Sequence, residues 1–177
     1  MGTIAVYPGT FDPFTKGHMD IALRTARIFP EVIILIANNP NKKSMFSIDE
    51  REDMIEAVLD AFSSEKITND WFANTTFSNH DGLLADYITK LAGRGVKPVV
   101  IRGLRAMSDF ENEFQMAHVN RTLSGSMDTM FIPTSSEYFF VSSSTVREIF
   151  KLGGDISKFV PPQVLELMKA KKKAPIA

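Results

Sequence analysis

The run Val32-Ile33-Ile34-Leu35-Ile36-Ala37 constrains this chain more than any other stretch. Unbroken β-branched and aliphatic residues, with Pro30 before and Asn38-Asn39-Pro40-Asn41 after, fit a strand buried on both faces. Such strands belong to a parallel sheet covered by helices. Short apolar runs recur at Ile4-Ala5-Val6-Tyr7, Pro98-Val99-Val100-Ile101 and Thr129-Met130-Phe131-Ile132, and segments with helical spacing lie between them. The expected fold is therefore α/β, a doubly wound parallel sheet flanked by helices. At 177 residues a single domain accommodates it. Residues 1–160 are expected to carry the sheet, and 161–177 to add a C-terminal helix and basic tail to the same domain.

Composition narrows the chemistry. With no cysteine, disulfides, thiolate nucleophiles and cysteine-held zinc are excluded. Twenty basic and 21 acidic residues leave a net charge of −1, which argues against a general nucleic-acid binder. No secretory leader is visible and the longest apolar run is far too short to span a membrane, so a cytoplasmic protein is expected. There is no Walker A pattern, GxGxxG, Gly-x-Ser-x-Gly elbow or HExxH.

The helices announce themselves by spacing and by caps. Apolar residues recur from Met19 to Phe29; Ile48, Ile55, Val58, Leu59 and Phe62 form one stripe; Leu83 to Leu91 is amphipathic; Phe110, Phe114, Ala117 and Leu123 share a spacing; and a last helix runs from Gln163 to Lys171. Ser47 with Glu50, Ser108 with Glu111 and Thr145 with Glu148 have the form of capping boxes, and Asp81 that of a cap for the helix after Gly82. The segment Phe77 to Gly82 reads as a polar loop, its His80 without a second metal ligand at suitable spacing. Lys171-Lys172-Lys173 reads as a solvated tail.

In an open parallel sheet, loops leaving the carboxyl ends of strands face the ligand, and each following helix points unpaired amides there. Four such segments carry polar or cationic groups. The first is Tyr7-Pro8-Gly9-Thr10-Phe11-Asp12-Pro13-Phe14-Thr15-Lys16-Gly17-His18, with hydroxyls at Thr10 and Thr15 and an imidazole in or near the first helical turn. A helix start disfavours imidazolium and a bound phosphate favours it, so either protonation state of His18 fits. The second carries Lys42 and Lys43, the third Arg102-Gly103-Leu104-Arg105, the fourth Ser142-Ser143-Ser144-Thr145. Cations gathered on one rim repel one another unless an anion is bound. Donors for phosphate without an evident covalent nucleophile suit direct phosphoryl or nucleotidyl transfer.

Thr15-Lys16-Gly17-His18 matches the (T/H)xGH signature of a nucleotidyltransferase superfamily, and its context YPGTFDPxTxGH resembles the bacterial phosphopantetheine adenylyltransferase family. RGLRAxSDFExExxMA from Arg102 and VSSSxVRE from Val141 resemble the same family, so the likeness spans most of the chain. It implies a Rossmann-like fold and transfer of AMP from ATP, with Mg²⁺, to 4′-phosphopantetheine, giving dephospho-coenzyme A and pyrophosphate. By the same likeness His18, Lys42 and Arg105 would be catalytic. Thr10, Lys42, Leu84 and Arg102 would hold phosphopantetheine, with Gly82 and Leu83 beside its arm. Thr10, Phe11, His18, Gly103, Leu104, Arg105, Glu113, Tyr138, Phe139, Phe140, Val141, Ser142, Ser143 and Ser144 would face ATP, and no residue is expected to bind a metal directly.

Asn112 stands where the family has an aromatic residue, and Tyr138 where a tryptophan is common. The distance from Lys43 to the next motif exceeds the family's and implies an insertion near Ser64 to Asn74. A homohexamer is implied by the family alone. Other readings are a different (T/H)xGH enzyme, using nicotinamide mononucleotide or glycerol phosphate, and a non-catalytic nucleotide sensor.

Overall fold

A computed structural model describes residues 2–38, 43–64, 72–125 and 127–173. Among these residues five parallel strands lie in the order β3-β2-β1-β4-β5: β1 (Thr3–Gly9), β2 (Val32–Asn38), β3 (Thr75–Asp81), β4 (Lys97–Leu104) and β5 (Asp128–Pro133). Among the described residues six α-helices connect or follow them: α1 (Lys16–Ala26), α2 (Ile48–Ser64), α3 (Leu84–Ala92), α4 (Met107–Ser124), α5 (Ser143–Lys151) and α6 (Pro162–Lys173). The chain winds outward from β1 to β3, then crosses back to place β4 on the other side of β1. That reversal opens a crevice at the carboxyl ends of β1 and β4.

Period-two alternation sorts the strand residues into two cores. Ala5, Tyr7, Val32, Ile34, Ile36 and Ile101 pack with residues of α1, α2, α5 and α6, while Ile4, Val6, Ile33, Leu35 and Val100 meet Ile88 and Leu91 of α3. Ile34 and Ile36 are fully buried, and each such side chain contributes about 1.5–3 kcal/mol on leaving water. The central strands are thus dry on both sides, as the run from Val32 predicts.

Several local expectations are corrected. Residues 77–81 are not a loop but most of β3, an edge strand whose polar, half-wet composition hides its extended backbone. Asp81 ends that strand and caps nothing; the cap position of α3 is Leu83, without a side-chain bond. β4 does not stop at Ile101 but continues through Arg102, Gly103 and Leu104, because Arg102, Gly103 and Leu104 pair with Phe131, Ile132 and Pro133 of β5.

The Ser47–Glu50 capping box forms, each side chain bonding the other's backbone amide. The other two do not. α4 starts two residues earlier than a cap at Ser108 allows, from Ala106, and α5 starts from Ser142, whose hydroxyl accepts the Thr145 amide. Lys171 is not merely solvated: its ammonium lies 2.6 Å from Glu50 and 5.0 Å above the Phe46 ring. α4 buries none of its residues, and Met107, Phe114, Met116, Val119 and Leu123 are exposed along it. Lys42 and most of the expected insertion lie outside the described residues.

Candidate active site

The first loop is held rigidly before any ligand arrives. Thr15 caps α1: its hydroxyl accepts the His18 amide at 3.3 Å, and His18 Nδ1 accepts the Thr15 amide at 3.0 Å. This is a capping box in which histidine does the work usually given to Glu or Gln. Because Nδ1 accepts, the proton of neutral His18 resides on Nε2, which is left as a donor. Phe11 sets its edge against the imidazole, with centroids 5.1 Å apart and planes at 88°, and Phe14 packs at 5.7 Å. Phe11 itself adopts φ 51°, a left-handed conformation that costs a non-glycine residue energy and that the surrounding packing enforces.

Burial, and then the positive charge of Arg105, hold His18 down at about 4 from an ordinary 6.5. The open choice of protonation state thus resolves to the neutral form at neutral pH. Its sign follows directly: between pH 6.5 and about 4 the unfolded chain binds a proton that the folded chain does not. His18 therefore favours folding fully above pH 6.5, and this contribution is lost as pH falls toward 4. An NMR titration of the imidazole is expected to stay flat from about pH 8 to about pH 5, to turn near 4, and to turn at higher pH when Arg105 is replaced by Met. A midpoint near 6.5 in the unmodified protein would contradict the geometry.

The third segment supplies the facing wall. Arg102 makes a two-pronged ion pair with Glu113, Nε–Oε2 at 2.5 Å and Nη2–Oε1 at 2.7 Å, and also donates to the Pro8 carbonyl at 3.1 Å. Arg105 leans on Asp109 at 3.1 Å and reaches toward the Val141 carbonyl. Gly103 sits where a Cβ would come within 3.1 Å of Ile21, so β4 approaches α1 more closely than a larger residue permits. At the fourth segment the Ser142 hydroxyl caps α5 while its neighbours Ser143 and Ser144 border the same space, and Ser143 also bonds the Pro13 carbonyl at 2.9 Å.

Together these groups border one cleft of about 820 Å³. It gathers Thr10, Phe11, His18, Leu84, Arg102, Gly103, Arg105, Glu113, Val141, Ser142, Ser143 and Ser144 from the residues singled out in the sequence, with Gly82 and Leu83. It does not gather Leu104, Tyr138, Phe139 or Phe140. Tyr138 instead packs on the core, its hydroxyl pushed up to about 12 by a bond to Glu137 and by burial, and Phe140 points fully into solvent.

Lys43, read with Lys42 as a cation on the ligand side, does line the cleft. Other bordering residues went unassigned in the sequence reading: Ser44 and Arg147, with Met116, Ala117 and Asn120 of α4. Arg51, buried beneath it, donates to the Thr10 carbonyl at 2.9 Å. Its signal was present, since Arg51 occupies the apolar stripe of α2 between Ile48 and Ile55.

Such a cleft can align two anions and stabilise charge growing between them, with donors in place and no covalent intermediate. Fold and cleft define a cytidylyltransferase-like protein, and residues 6–149 match the family model of that description. The chain is 46% identical over 169 residues to the phosphopantetheine adenylyltransferase of Heliobacterium modesticaldum, covering 96% of this chain and 92% of that one. It is 47% identical over 170 residues to the enzyme of the same name from Bordetella pertussis, with 96% and 92% covered. The chain belongs to the phosphopantetheine adenylyltransferase family. Among solved structures, the nicotinic acid mononucleotide adenylyltransferase of Plasmodium falciparum shares the fold at a TM-score of 0.71 and 17% identity, over 98% of this chain and 97% of that one.

Proposed function

We propose that this protein transfers the adenylyl group of ATP to 4′-phosphopantetheine, releasing pyrophosphate and dephospho-coenzyme A. The observation that carries the reading is the convergence of His18, Arg102, Arg105 and the Ser142–Ser144 turn on one cleft in a member of this family. An oxygen of the acceptor phosphate attacks the α-phosphorus of ATP. The bond from that phosphorus to the bridging oxygen breaks, and pyrophosphate leaves with the electron pair. A phosphate monoester is nucleophilic at neutral pH, so no general base is required.

His18 donates from Nε2 to an α-phosphate oxygen, a bond that strengthens as charge builds there. Arg105, Gly103 and the donors at the start of α5 hold the outer phosphates of ATP. Arg102 and Lys42 take the acceptor phosphate, Thr10 stands between the substrates, and Leu84 packs on the pantetheine arm. Glu113 acts by orienting Arg102, given its two short bonds to that guanidinium. Mg²⁺ enters with the nucleotide, as MgATP, and neutralises triphosphate charge. Among the described residues no group of three His, Asp or Glu side chains could hold a metal.

The reading includes a cytoplasmic location and a homo-oligomer, hexameric by family resemblance. For the first, no helix among the described residues is long and apolar enough to cross a membrane. For the second, the support is the row of uncovered apolar side chains on α4.

The deciding assay measures pyrophosphate release from MgATP with 4′-phosphopantetheine, nicotinamide mononucleotide or glycerol phosphate as acceptor. Release is expected with 4′-phosphopantetheine alone. Release with another acceptor moves the protein to a different branch of the superfamily, and ATP binding without product in a single turnover makes it a sensor.

A further inference from the structure

Asp12 lies in the middle of the first loop yet has no part in the chemistry above. The residue is buried, 3% exposed. Oδ2 accepts the Met45 amide and Oδ1 the Phe46 amide, each at 2.9 Å. Arg147 of α5 places Nη1 3.3 Å from Oδ2 and also donates to the Asp12 carbonyl. Arg51 of α2, itself 2% exposed, holds the adjoining Thr10 carbonyl at 2.9 Å and the Ser47 carbonyl at 3.0 Å. Asp12 thus joins the first loop both to the segment after Lys43 and, through Arg147, to the middle of α5.

Both of those segments border the cleft. Lys43 and Ser44, directly before the two bonded amides, form its wall, and Ser142 to Ser144 form another part of it. We propose that Asp12 is a positioning residue: its carboxylate sets the Lys43–Ser44 wall against the loop bearing Thr10 and His18, and Arg147 locks that pair to α5. The proposal deepens the adenylyltransferase reading and rests on it for the identity of the two substrates.

A carboxylate can accept two amides and a guanidinium at once, whereas an amide of equal size offers one acceptor and turns donors toward the rest. Asp12→Asn therefore releases part of the grip with almost no change in volume. Ala37, Gly82, Leu83 and Leu84 border the same cleft as Lys43 and Ser44, and Leu84 belongs to the side read as taking the acceptor. The α5 turn keeps its independent bond from Ser143 to Pro13. The loss should consequently fall on the acceptor rather than on ATP.

The test uses the full chain. In Asp12→Asn, the KM for 4′-phosphopantetheine is expected to rise about tenfold or more while that for ATP stays within about twofold. Hydrogen exchange at the Met45 and Phe46 amides should accelerate about tenfold in the same variant. Asp12→Glu keeps the charge but displaces it, and serves if the Asn variant does not fold; its acceptor KM should rise about threefold with ATP again unaffected.

Faster exchange with both KM values unchanged would overturn positioning, and so would parallel loss toward both substrates. Unchanged exchange would overturn the tie itself. If the unmodified protein uses a different acceptor, the adenylyltransferase reading fails, and the KM comparison is made with the acceptor that supports release. If none does, the amide measurement alone decides the tie.

Discussion

His18→Ala is expected to lower kcat by about 10²–10³ while the dissociation constant for MgATP stays within about threefold. The expectation separates two jobs that the imidazole performs with opposite edges. Nδ1 accepts the Thr15 amide at 3.0 Å and closes the capping box, which is a structural bond. Nε2 is the donor left for the charge developing on the α-phosphate oxygens. Alanine removes both, so a loss of stability of about 1 kcal/mol from the cap should accompany the loss of rate.

His18→Gln distinguishes them, because glutamine at this helical position can still accept the Thr15 amide. It should regain the stability and recover only part of kcat. Steady-state kinetics, calorimetric ATP binding and thermal melts on the two variants check this. A fall in ATP affinity equal to the fall in kcat would mean that His18 binds the ground state as strongly as the transition state.

Gly9→Ala should be nearly as damaging, although it adds a single methyl group. A Cβ at Gly9 would stand 2.6 Å from Cζ and 2.7 Å from Cε1 of Phe11. That ring is only 2% exposed, with Tyr7 at 5.4 Å, Phe14 at 5.6 Å and His18 at 5.1 Å from it. It cannot retreat without moving the imidazole, and its own backbone already sits at φ 51°. Overpacking of this kind costs about 1–3 kcal/mol, and a shift of about 1 Å at His18 costs about 10²-fold in rate.

Urea denaturation and kcat/KM measure the two effects. Adding Phe11→Leu should restore much of the stability without restoring the rate, because the smaller side chain makes room but no longer buttresses His18. A Gly9→Ala protein as stable and active as the parent would show that the ring has freedom the packing denies.

The sheet was legible because its central strands are dry on both sides, and the run from Val32 has no other comfortable home. The edge strand was not, since Thr75 to Asp81 exposes much of its surface and reads as a polar connection. Caps at Ser108 and Thr145 were misplaced for a local reason. Several hydroxyl residues stand in a row at Ser142-Ser143-Ser144-Thr145, and spacing to a glutamate cannot choose among them. At α4, Asp109 turns back to Arg105, so a plausible first-turn acid is drawn away from capping.

The candidate site was legible in its clusters and not in its supports. His18, Arg102, Arg105 and Ser142 to Ser144 stand in recognisable strings and do converge. Asp12, Arg51 and Arg147 act through contacts across 33 to 135 residues of chain, which no local pattern encodes. Of the turn that the family resemblance set toward ATP, Tyr138 packs on the core and Phe140 faces solvent.

The strand order has a consequence for assembly as the chain is made. Among the described strands β1 is synthesised before the other four, yet one of its two neighbours begins only at Lys97. Any nascent or truncated product ending before that point carries its middle strand as a naked border, hydrophobic on both surfaces and unsatisfied along its backbone. Such fragments should be insoluble on their own, and residues 97–104 mark where shortened versions of this protein first become worth attempting.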